Sequence, residues 1–583
     1  MAEAFLKQIP DVQNLATWWA AHVIDELGRL GARHLVISPG SRSTPLTMAA
    51  SVHPDMEIQV ILDERSAAFT ALGMGRATGI PAALICTSGT AVANYLPAVV
   101  EARQSGIPLL LLTADRPPYL RHVGASQAID QIKIFGDYPV FTHEVGEPQA
   151  SNNDIQRLRM AVDQAVQEST SAGGSAHLNF PFRKPLEPEP TWLRDLQLDW
   201  ESDTHFGSPF TRNYRTKIHS TEWPMDIREE LKSAERPLFI AGPQRPFDLQ
   251  TTAFARWAQA MDAPLLVDAG AQPVDHPQVI AGYDGWLRTS YQDPQWQPDL
   301  IIRLGDQPVS KALELAFQVW DASILQIDTR DSWQDATLNG GMRWRLDRLP
   351  DWPSDFPVNT DSEWLSRWQQ QDQAWQQKRQ HRIQEIEILT DGHVYAHLLN
   401  DVDSKVQPLN GLVSNSFPVR DLMLFGPSAL PFQHMHVTRG ASGIDGITSA
   451  AIGTTIATGR PSVLFTGDLA FLHDSNALLQ QSESLPPLLI IILNNGGGDI
   501  FKMLPIQDHP QQFDRYFKTP QHADLGKLCE AHSVPHLKIS TVDDLRQHSL
   551  ADLLPEHGIS VLECITDSEA SMRLRRELWG MES

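Results

Sequence analysis

Apolar and polar positions alternate along this chain in a regular way. Short runs of apolar or β-branched residues are separated by longer stretches whose apolar residues recur at helical spacing. Between Leu15 and about Pro185 the pattern predicts strands at His34–Ser38, Ile58–Leu62, Ala82–Cys86, Pro108–Thr113 and His177–Phe180. A second series follows at Pro237–Ala241, Pro264–Asp268, Leu300–Leu304 and Ser323–Asp328, and a third at Gly411–Ser414, Ser462–Thr466, Pro487–Leu493 and Ser560–Cys564. Strands alternating with helices predict doubly wound parallel sheets, so the chain reads as three α/β domains, at 1–190, 205–350 and 375–583. Leu186–Ser202, with its EPEPTW run, reads as a linker, and the proline-rich LPDWPSDFP at Leu349–Pro357 as the next boundary. Trp364, Trp368 and Trp375 then recur at helical spacing, as expected of a helix that packs domains together.

Ser462–Phe501 carries the densest chemistry. It predicts strand, helix (about Asn476–Ser484) and strand, with Gly467-Asp468 ending the first strand and Asn494-Asn495 following the second. A right-handed crossover brings both carboxyl ends to one sheet edge, so Asp468 and Asn495 can meet although 27 positions apart. A carboxylate, an amide oxygen and the Gly497 carbonyl suit magnesium, which takes oxygen ligands and leaves room for phosphate and water. The Gly496-Gly497-Gly498 run lets backbone and phosphate approach closely. An ordinary buried strand–helix–strand unit with polar loops would also account for these residues by themselves.

Composition narrows the partners. A net charge of −24 disfavours nucleic acid and anionic membrane, and requires any site for an acidic substrate to gather arginines locally. The three cysteines, Cys86, Cys529 and Cys564, form neither a zinc pattern nor a disulfide framework, which fits a reducing, cytoplasmic setting, and Cys86 lies in an apolar strand. The first residues lack the basic and apolar regions of a secretory signal, and no apolar run is long enough to span a bilayer. Gly73 and Gly75 fall inside a predicted helix, where they favour tight packing over dinucleotide binding. His434-Met435-His436 reads as one strand alternating its faces, with no third metal ligand evident.

The spacing from Gly467-Asp468 to Asn494-Asn495 resembles the fingerprint of thiamine-diphosphate enzymes. In that class an Asp, an Asn and a carbonyl two residues on hold magnesium (or manganese) against the diphosphate, and three α/β domains bind pyrimidine, act as a central scaffold and bind diphosphate. The resemblance implies that Asp468, Asn495 and Gly497 are metal ligands and that Gly467 and Ser416 lie against the cofactor. It implies a carboxylic acid beside the aminopyrimidine after the second strand of the first domain. Asp63 and Glu64 compete for that place, and the following SAAFTALG helix selects Glu64. Ile444, in GASGIDG, takes the place of the apolar residue that bends the cofactor.

More specific motifs lie elsewhere. SPGSRSTPL at Ser38–Leu46, TADRPP at Thr113–Pro118, GASQAI at Gly124–Ile129, SNSFPVRD at Ser414–Asp421, TRGASGIDG at Thr438–Gly446 and NNGGGDIFKMLP at Asn494–Pro505 resemble one family. It comprises the 2-succinyl-5-enolpyruvyl-6-hydroxy-3-cyclohexene-1-carboxylate synthases of menaquinone and phylloquinone biosynthesis. Leu469, where most of the class has glycine, fits this family. The resemblance implies decarboxylation of 2-oxoglutarate and addition of the succinyl unit to isochorismate. Ser41, Arg42, Arg116, Gln127, Arg420 and Arg439 would bind these substrates, because guanidinium groups meet carboxylates bidentately. Gln127 also becomes the polar group that orients the acceptor or relays a proton, since the motifs hold no equivalent of the histidine pair of other thiamine enzymes. Lys311 is retained from a Lys-Arg pair whose second position is Ala312 here, and Ile500, Phe501 and Leu504 form an apolar wall. A homodimer or a dimer of dimers is implied. The alternative is another thiamine-dependent 2-oxo-acid decarboxylase or an acetolactate-synthase-like carboligase, which would not need so many arginines.

Overall fold

The computed structural model describes residues 11–202, 207–213, 223–248, 250–330, 333, 335–336, 338–353, 356, 359–400 and 408–581. The signal-peptide reading of the first ten residues, the start of the predicted central domain at 205, and residues 354, 355 and 357 of the proline-rich boundary lie outside them. The strands are β1 His34–Ile37, β2 Glu57–Val60, β3 Ala82–Cys86, β4 Leu109–Asp115, β5 Phe141–Glu144 and β6 Ser175–Pro181 in the first sheet. β7 Pro237–Ala241, β8 Leu265–Val267, β9 Val279–Ile280, β10 Leu300–Leu304, β11 Ser323–Asp328 and β12 Met342–Arg345 form the second. β13 Leu409–Val413, β14 Phe432–Val437, β15 Ser462–Gly467, β16 Leu488–Asn494, β17 His536–Ile539 and β18 Ile559–Ile565 form the third.

Each sheet is six-stranded and parallel throughout, with orders β2-β1-β3-β4-β6-β5, β12-β11-β10-β7-β8-β9 and β14-β13-β15-β16-β18-β17. This is the expected α/β class. The strands absent from the sequence reading, β5, β9, β12 and β17, are all sheet edges. An edge strand is half solvated, so it lacks the continuous apolar run that marks an interior parallel strand.

Two other expectations are corrected. The supposed linker contains a helix, Pro190–Ser202. The helix expected at 476–484 is replaced by a short α-helix, Asp468–His473, and a 3-10 turn, Ser475–Gln480. The buried Asp474 side chain explains the break: it accepts hydrogen bonds from Ser449 N (2.7 Å) and Ser449 Oγ (3.0 Å), which draws the chain out of helical continuation.

The described chain divides into two compact units. The first comprises Met1–Arg215, Thr438–Gly459 and His473–Gln480. Its sheet is covered on both faces by apolar residues, including Cys86, which is fully buried. Helix Glu64–Thr78 packs against helix Ile447–Thr458 with backbone touching backbone. A Cβ on Gly73 would lie 2.1 Å from the Ala450 carbonyl oxygen, and one on Gly453 would lie 1.9 Å from that of Thr70. Gly75 likewise abuts the Pro108 carbonyl, so these glycines serve close packing, as their place inside a helix suggested.

The second unit comprises Thr216–Val437, Arg460–Leu472 and Gln481–Ser583. One apolar core runs through its two sheets and takes in Trp364, Trp368 and Trp375 of helix Trp364–Glu385. The tryptophan stripe is therefore packing. The β7–β12 sheet has the strand order of dinucleotide-binding sheets. At its switch point, however, Gly242 lies against the Asp306 carbonyl and Gly305 against that of Pro243, so the two loops fill the crevice themselves. Among the described residues no helix is long and apolar enough to cross a membrane.

Candidate active site

In the second unit, β15 and β16 run in register with Gly467 opposite Leu493, so Asp468 and Asn495 both emerge at the carboxyl edge. Asp468 is buried. Burial pushes its carboxyl up to about 7, the nearby Asp499 carboxylate adds to the rise, and backbone N–H groups of Leu469 and Gly497 oppose it. The Asn495 Oδ1 is buried and has no hydrogen-bond partner among the described residues. Gly496 and Gly497 adopt φ of +79° and +129°, and a Cβ on Gly497 would strike the Lys518 carbonyl at 2.3 Å. A buried carboxylate and an orphaned amide oxygen on one sheet edge, beside a loop built from glycine, fit a hard cation with phosphate oxygens. Among the described residues no group of three or more His, Cys, Asp or Glu side chains is placed to hold a metal ion. His434 and His436 sit on β14 as expected, and His434 Nδ1 lies 3.2 Å from Gln272 Oε1.

Ser416 follows β13 with φ +72°, an uncommon conformation for a serine, and precedes helix Phe417–Phe425. Its carbonyl accepts a 2.6 Å hydrogen bond from Arg420 Nη1, which ties the arginine to the turn. Burial holds Arg420 below the usual guanidinium range, and Asp284, Asp421, Asp268 and Glu314 oppose that effect. Lys311 opens helix Lys311–Ala316 and pairs with that same Glu314. Arg288, on helix Tyr283–Ser290, also lies among Asp284, Glu314 and Arg420, with its guanidinium 4.2 Å from the centroid of the Trp579 ring. Ala312 leaves no second cation beside Lys311 in sequence, but the fold brings one from a different helix. Sequence reasoning missed Arg288 because no motif surrounds it. Ile500 and Phe501 lie half-buried on the 3-10 turn Asp499–Met503, with Phe501 edge-on to Phe517 at 5.7 Å, and Leu504 is exposed just beyond.

In the first unit, Asp63 caps helix Glu64–Thr78 by accepting from Arg65 N (2.8 Å) and Ser66 N (3.4 Å), while Glu64 is the half-buried first residue of that helix. Asp63 also accepts from Asn476 Nδ2 at 2.7 Å. Arg42 follows β1, is buried, and donates from Nη1 to the Phe182 carbonyl at 2.7 Å. Its Nε is buried without a partner among the described residues, and burial together with the charge of Arg116 holds it below the usual range. Arg116 bonds Ser88 Oγ through Nη1 and Gln127 Oε1 through Nη2, the latter at 3.4 Å. Gln127 itself has φ +54°. Behind it the buried Gln131 accepts from Gly89 N (3.0 Å) and donates to Asn179 Oδ1 (2.9 Å) and the Ala114 carbonyl (3.2 Å), which fixes the loops after β3 and β4 together. Ser88 and Gln131 were not singled out from sequence, although Ser88 stands at the end of a predicted strand. Ser41 is exposed beside Arg42.

Buried Glu101 accepts from Gly440 N (3.0 Å) and Ala441 N (2.6 Å), which holds the segment containing Arg439 and Ile444 on this unit. Ile444 is 38% exposed and is thus not a core isoleucine.

The chain matches two family models, "Thiamine pyrophosphate enzyme, N-terminal TPP binding domain" over residues 17–134 and "Thiamine pyrophosphate enzyme, C-terminal TPP binding domain" over residues 428–564. With three parallel sheets, this is a thiamine-diphosphate enzyme. Similar proteins include 2-succinyl-5-enolpyruvyl-6-hydroxy-3-cyclohexene-1-carboxylate synthases of Haloarcula marismortui (38% identity over 97% of this chain and 98% of the relative) and Gloeothece citriformis (37%, 96% of each). The corresponding synthase of Synechococcus elongatus is 36% identical over 98% of this chain and 97% of its own. The chain belongs to this synthase family.

Proposed function

We propose that this enzyme decarboxylates 2-oxoglutarate and joins the remaining four-carbon unit to isochorismate, releasing carbon dioxide, in menaquinone or phylloquinone biosynthesis. The observation that carries the reading is the Arg42–Arg116 pair. Two like-charged guanidinium groups lie close together in a chain of net charge −24, one of them with a buried, unpartnered Nε. An acidic substrate relieves both the repulsion and the missing hydrogen bond. Arg420, Lys311 and Arg288 form a second cationic group around Glu314 and suit a second carboxylate.

Thiamine diphosphate, when bound, supplies the carbon centre that accepts a 2-oxo acid and makes loss of its carboxylate easy. Asp468, Asn495 and the Gly497 carbonyl would hold magnesium, or manganese, against its diphosphate, with Gly467 and Ser416 alongside. Glu64 would hold a proton at the aminopyrimidine, and Ile444 would support the cofactor's bent shape. Ser41, Arg42, Arg116, Gln127, Lys311, Arg420 and Arg439 bind and orient the substrates, and Ile500, Phe501 and Leu504 keep water out. The enzyme acts in the cytoplasm as a homodimer or dimer of dimers in which Glu64 of one copy serves the diphosphate site of its neighbour. Val60 and Leu62, 69% and 70% exposed near Glu64, leave apolar surface for a second copy to cover.

The test incubates the protein with thiamine diphosphate, magnesium, 2-oxoglutarate and isochorismate, and reads carbon dioxide and the adduct by mass. Adduct formation that stops on chelation and returns with magnesium is expected. Turnover of pyruvate with none of isochorismate would replace this reading with an acetolactate-synthase-like one.

A further inference from the structure

The last helix of the second unit, Ser568–Leu578, is fastened from inside. Arg575 is fully buried and donates to Asp421 through Nε (2.7 Å) and Nη2 (2.6 Å). It also pairs with Asp391, and its guanidinium lies 3.9 Å from the centroid of the Phe417 ring. Asp421 and Phe417 belong to the helix that carries Arg420, so the C-terminal helix is fixed against that element.

Its first turn grips a different segment. Ser568 Oγ donates to Asp499 Oδ2 and accepts from Lys502 Nζ. Lys502 Nζ also reaches Glu569 Oε1 at 2.8 Å and lies 3.4 Å from Asp499 Oδ1. Two turns on, Arg576 donates to the Lys502 carbonyl (3.4 Å) and to Gln507 Oε1 (3.1 Å). Asp499 is 2% exposed and Lys502 8%, and they bracket Ile500 and Phe501. A lysine is seldom buried, and withdrawing an ion pair from water gives little stability in return. What such a cluster does give is one fixed geometry, set by charge and hydroxyl together.

We propose that Lys502 is a positioning residue for the coupling step: with Asp499 and Ser568 it locks the turn Asp499–Met503 to the anchored C-terminal helix, so that Ile500 and Phe501 shield the reacting carbon until the acceptor is joined. The proposal rests on the apolar-wall role given to Ile500 and Phe501 above. The four-carbon unit left by 2-oxoglutarate has two fates. Formation of a carbon–carbon bond to isochorismate gives the adduct. Protonation of the same carbon gives succinic semialdehyde, so that 2-oxoglutarate and one proton yield the aldehyde and carbon dioxide. A loosened wall shifts material from the first fate to the second.

The experiment measures the ratio of succinic semialdehyde to adduct in the full-length holoenzyme given both substrates. Lys502→Met is expected to raise that ratio roughly ten-fold while carbon dioxide release persists, because small misplacements at a reacting centre are costly. Lys502→Arg, which keeps the charge and the donors, should bring the ratio back toward the parent value. Ser568→Ala should raise the ratio as Lys502→Met does, but by less. A merely structural role lowers both products together, so an unchanged ratio in folded Lys502→Met overturns the proposal. If that variant does not fold, an unchanged ratio in Ser568→Ala overturns it instead. A parent enzyme that makes no adduct would sink the functional reading, whereas a parent that makes adduct beside unresponsive variants sinks this inference alone.

Discussion

Replacing Gly453 by alanine tests how helix Glu64–Thr78 is held. The new Cβ would lie 1.9 Å from the Thr70 carbonyl oxygen, 2.7 Å from its carbon and 3.0 Å from its Cα. All three are backbone atoms, so no side chain can turn aside. A carbon–oxygen contact settles at about 3.3 Å, so the two helices must part by roughly 1.4 Å at this crossing. A gap of that size forfeits a large part of the dispersion between the facing surfaces, and overpacking typically costs about 1–3 kcal/mol. Alanine returns about 1 kcal/mol of helix propensity, which leaves a net loss of up to about 2 kcal/mol. Gly28→Ala is the control. It also lies within a helix, but its Cβ would meet only His53 and Met56 side-chain atoms, at 3.1–3.4 Å. Thermal unfolding of Gly453→Ala should therefore come several degrees below the parent, with Gly28→Ala close to it. The same displacement reaches Glu64 at the head of the partner helix, so adduct formation should fall by more than the stability loss explains, by about ten-fold or more. A Gly453→Ala protein as stable and active as Gly28→Ala would refute the reading that backbone contact sets this crossing.

Two further outcomes follow from buried charge. Burial pushes Glu26 from 4.5 to about 7, against the attraction of Arg159. The folded state then holds a proton that the unfolded state has released, so this group's stabilisation is full below about 4.5 and is lost as pH rises toward 7. At 1.36 kcal/mol per pH unit the change is about 3 kcal/mol, and melting curves of Glu26→Gln and the parent should diverge by that order between pH 4.5 and 8. Parallel pH profiles would contradict it. Arg288→Ala should raise KM for one of the two acidic substrates by roughly ten- to a hundred-fold with little change in kcat, the weight of a charge-assisted hydrogen bond, and Arg288→Lys should recover part of it. Equal KM values for both substrates in parent and variant would remove Arg288 from the site.

Interior strands were legible because parallel sheets bury both faces, so that Leu109–Leu112 and Leu488–Leu493 read as unbroken apolar runs. Half-solvated edge strands, such as β12 with its sequence MRWR, carry no such run. The place of Asp468 and Asn495 at one edge followed from chain connectivity alone. Arg288, Gln131 and the Lys502–Ser568 clamp did not, because each depends on contacts between elements far apart in sequence. Gln131 touches Gly89 and Asn179, 42 and 48 positions away, and Lys502 touches Ser568 across 66. No local pattern records such meetings. The break at Asp474 was hidden for the same reason, since its partner Ser449 lies 25 positions earlier.

The first and third sheets thread their strands in one order, and their candidate cofactor and substrate residues fall at matching strand ends. Ser41 and Arg42 follow the first strand of one, Ser416 and Arg420 that of the other. Glu64 and Arg439 follow the second strands, Ser88 and Asp468 the third, Arg116 and Asn495 the fourth. One architectural module thus occurs twice in a single chain, with its loops specialised in different directions. Such a repeat separates what must stay constant from what is free to diverge. The strands can be kept while eight short loops are rewritten, and a lineage built this way can acquire a new acceptor without relearning how to fold.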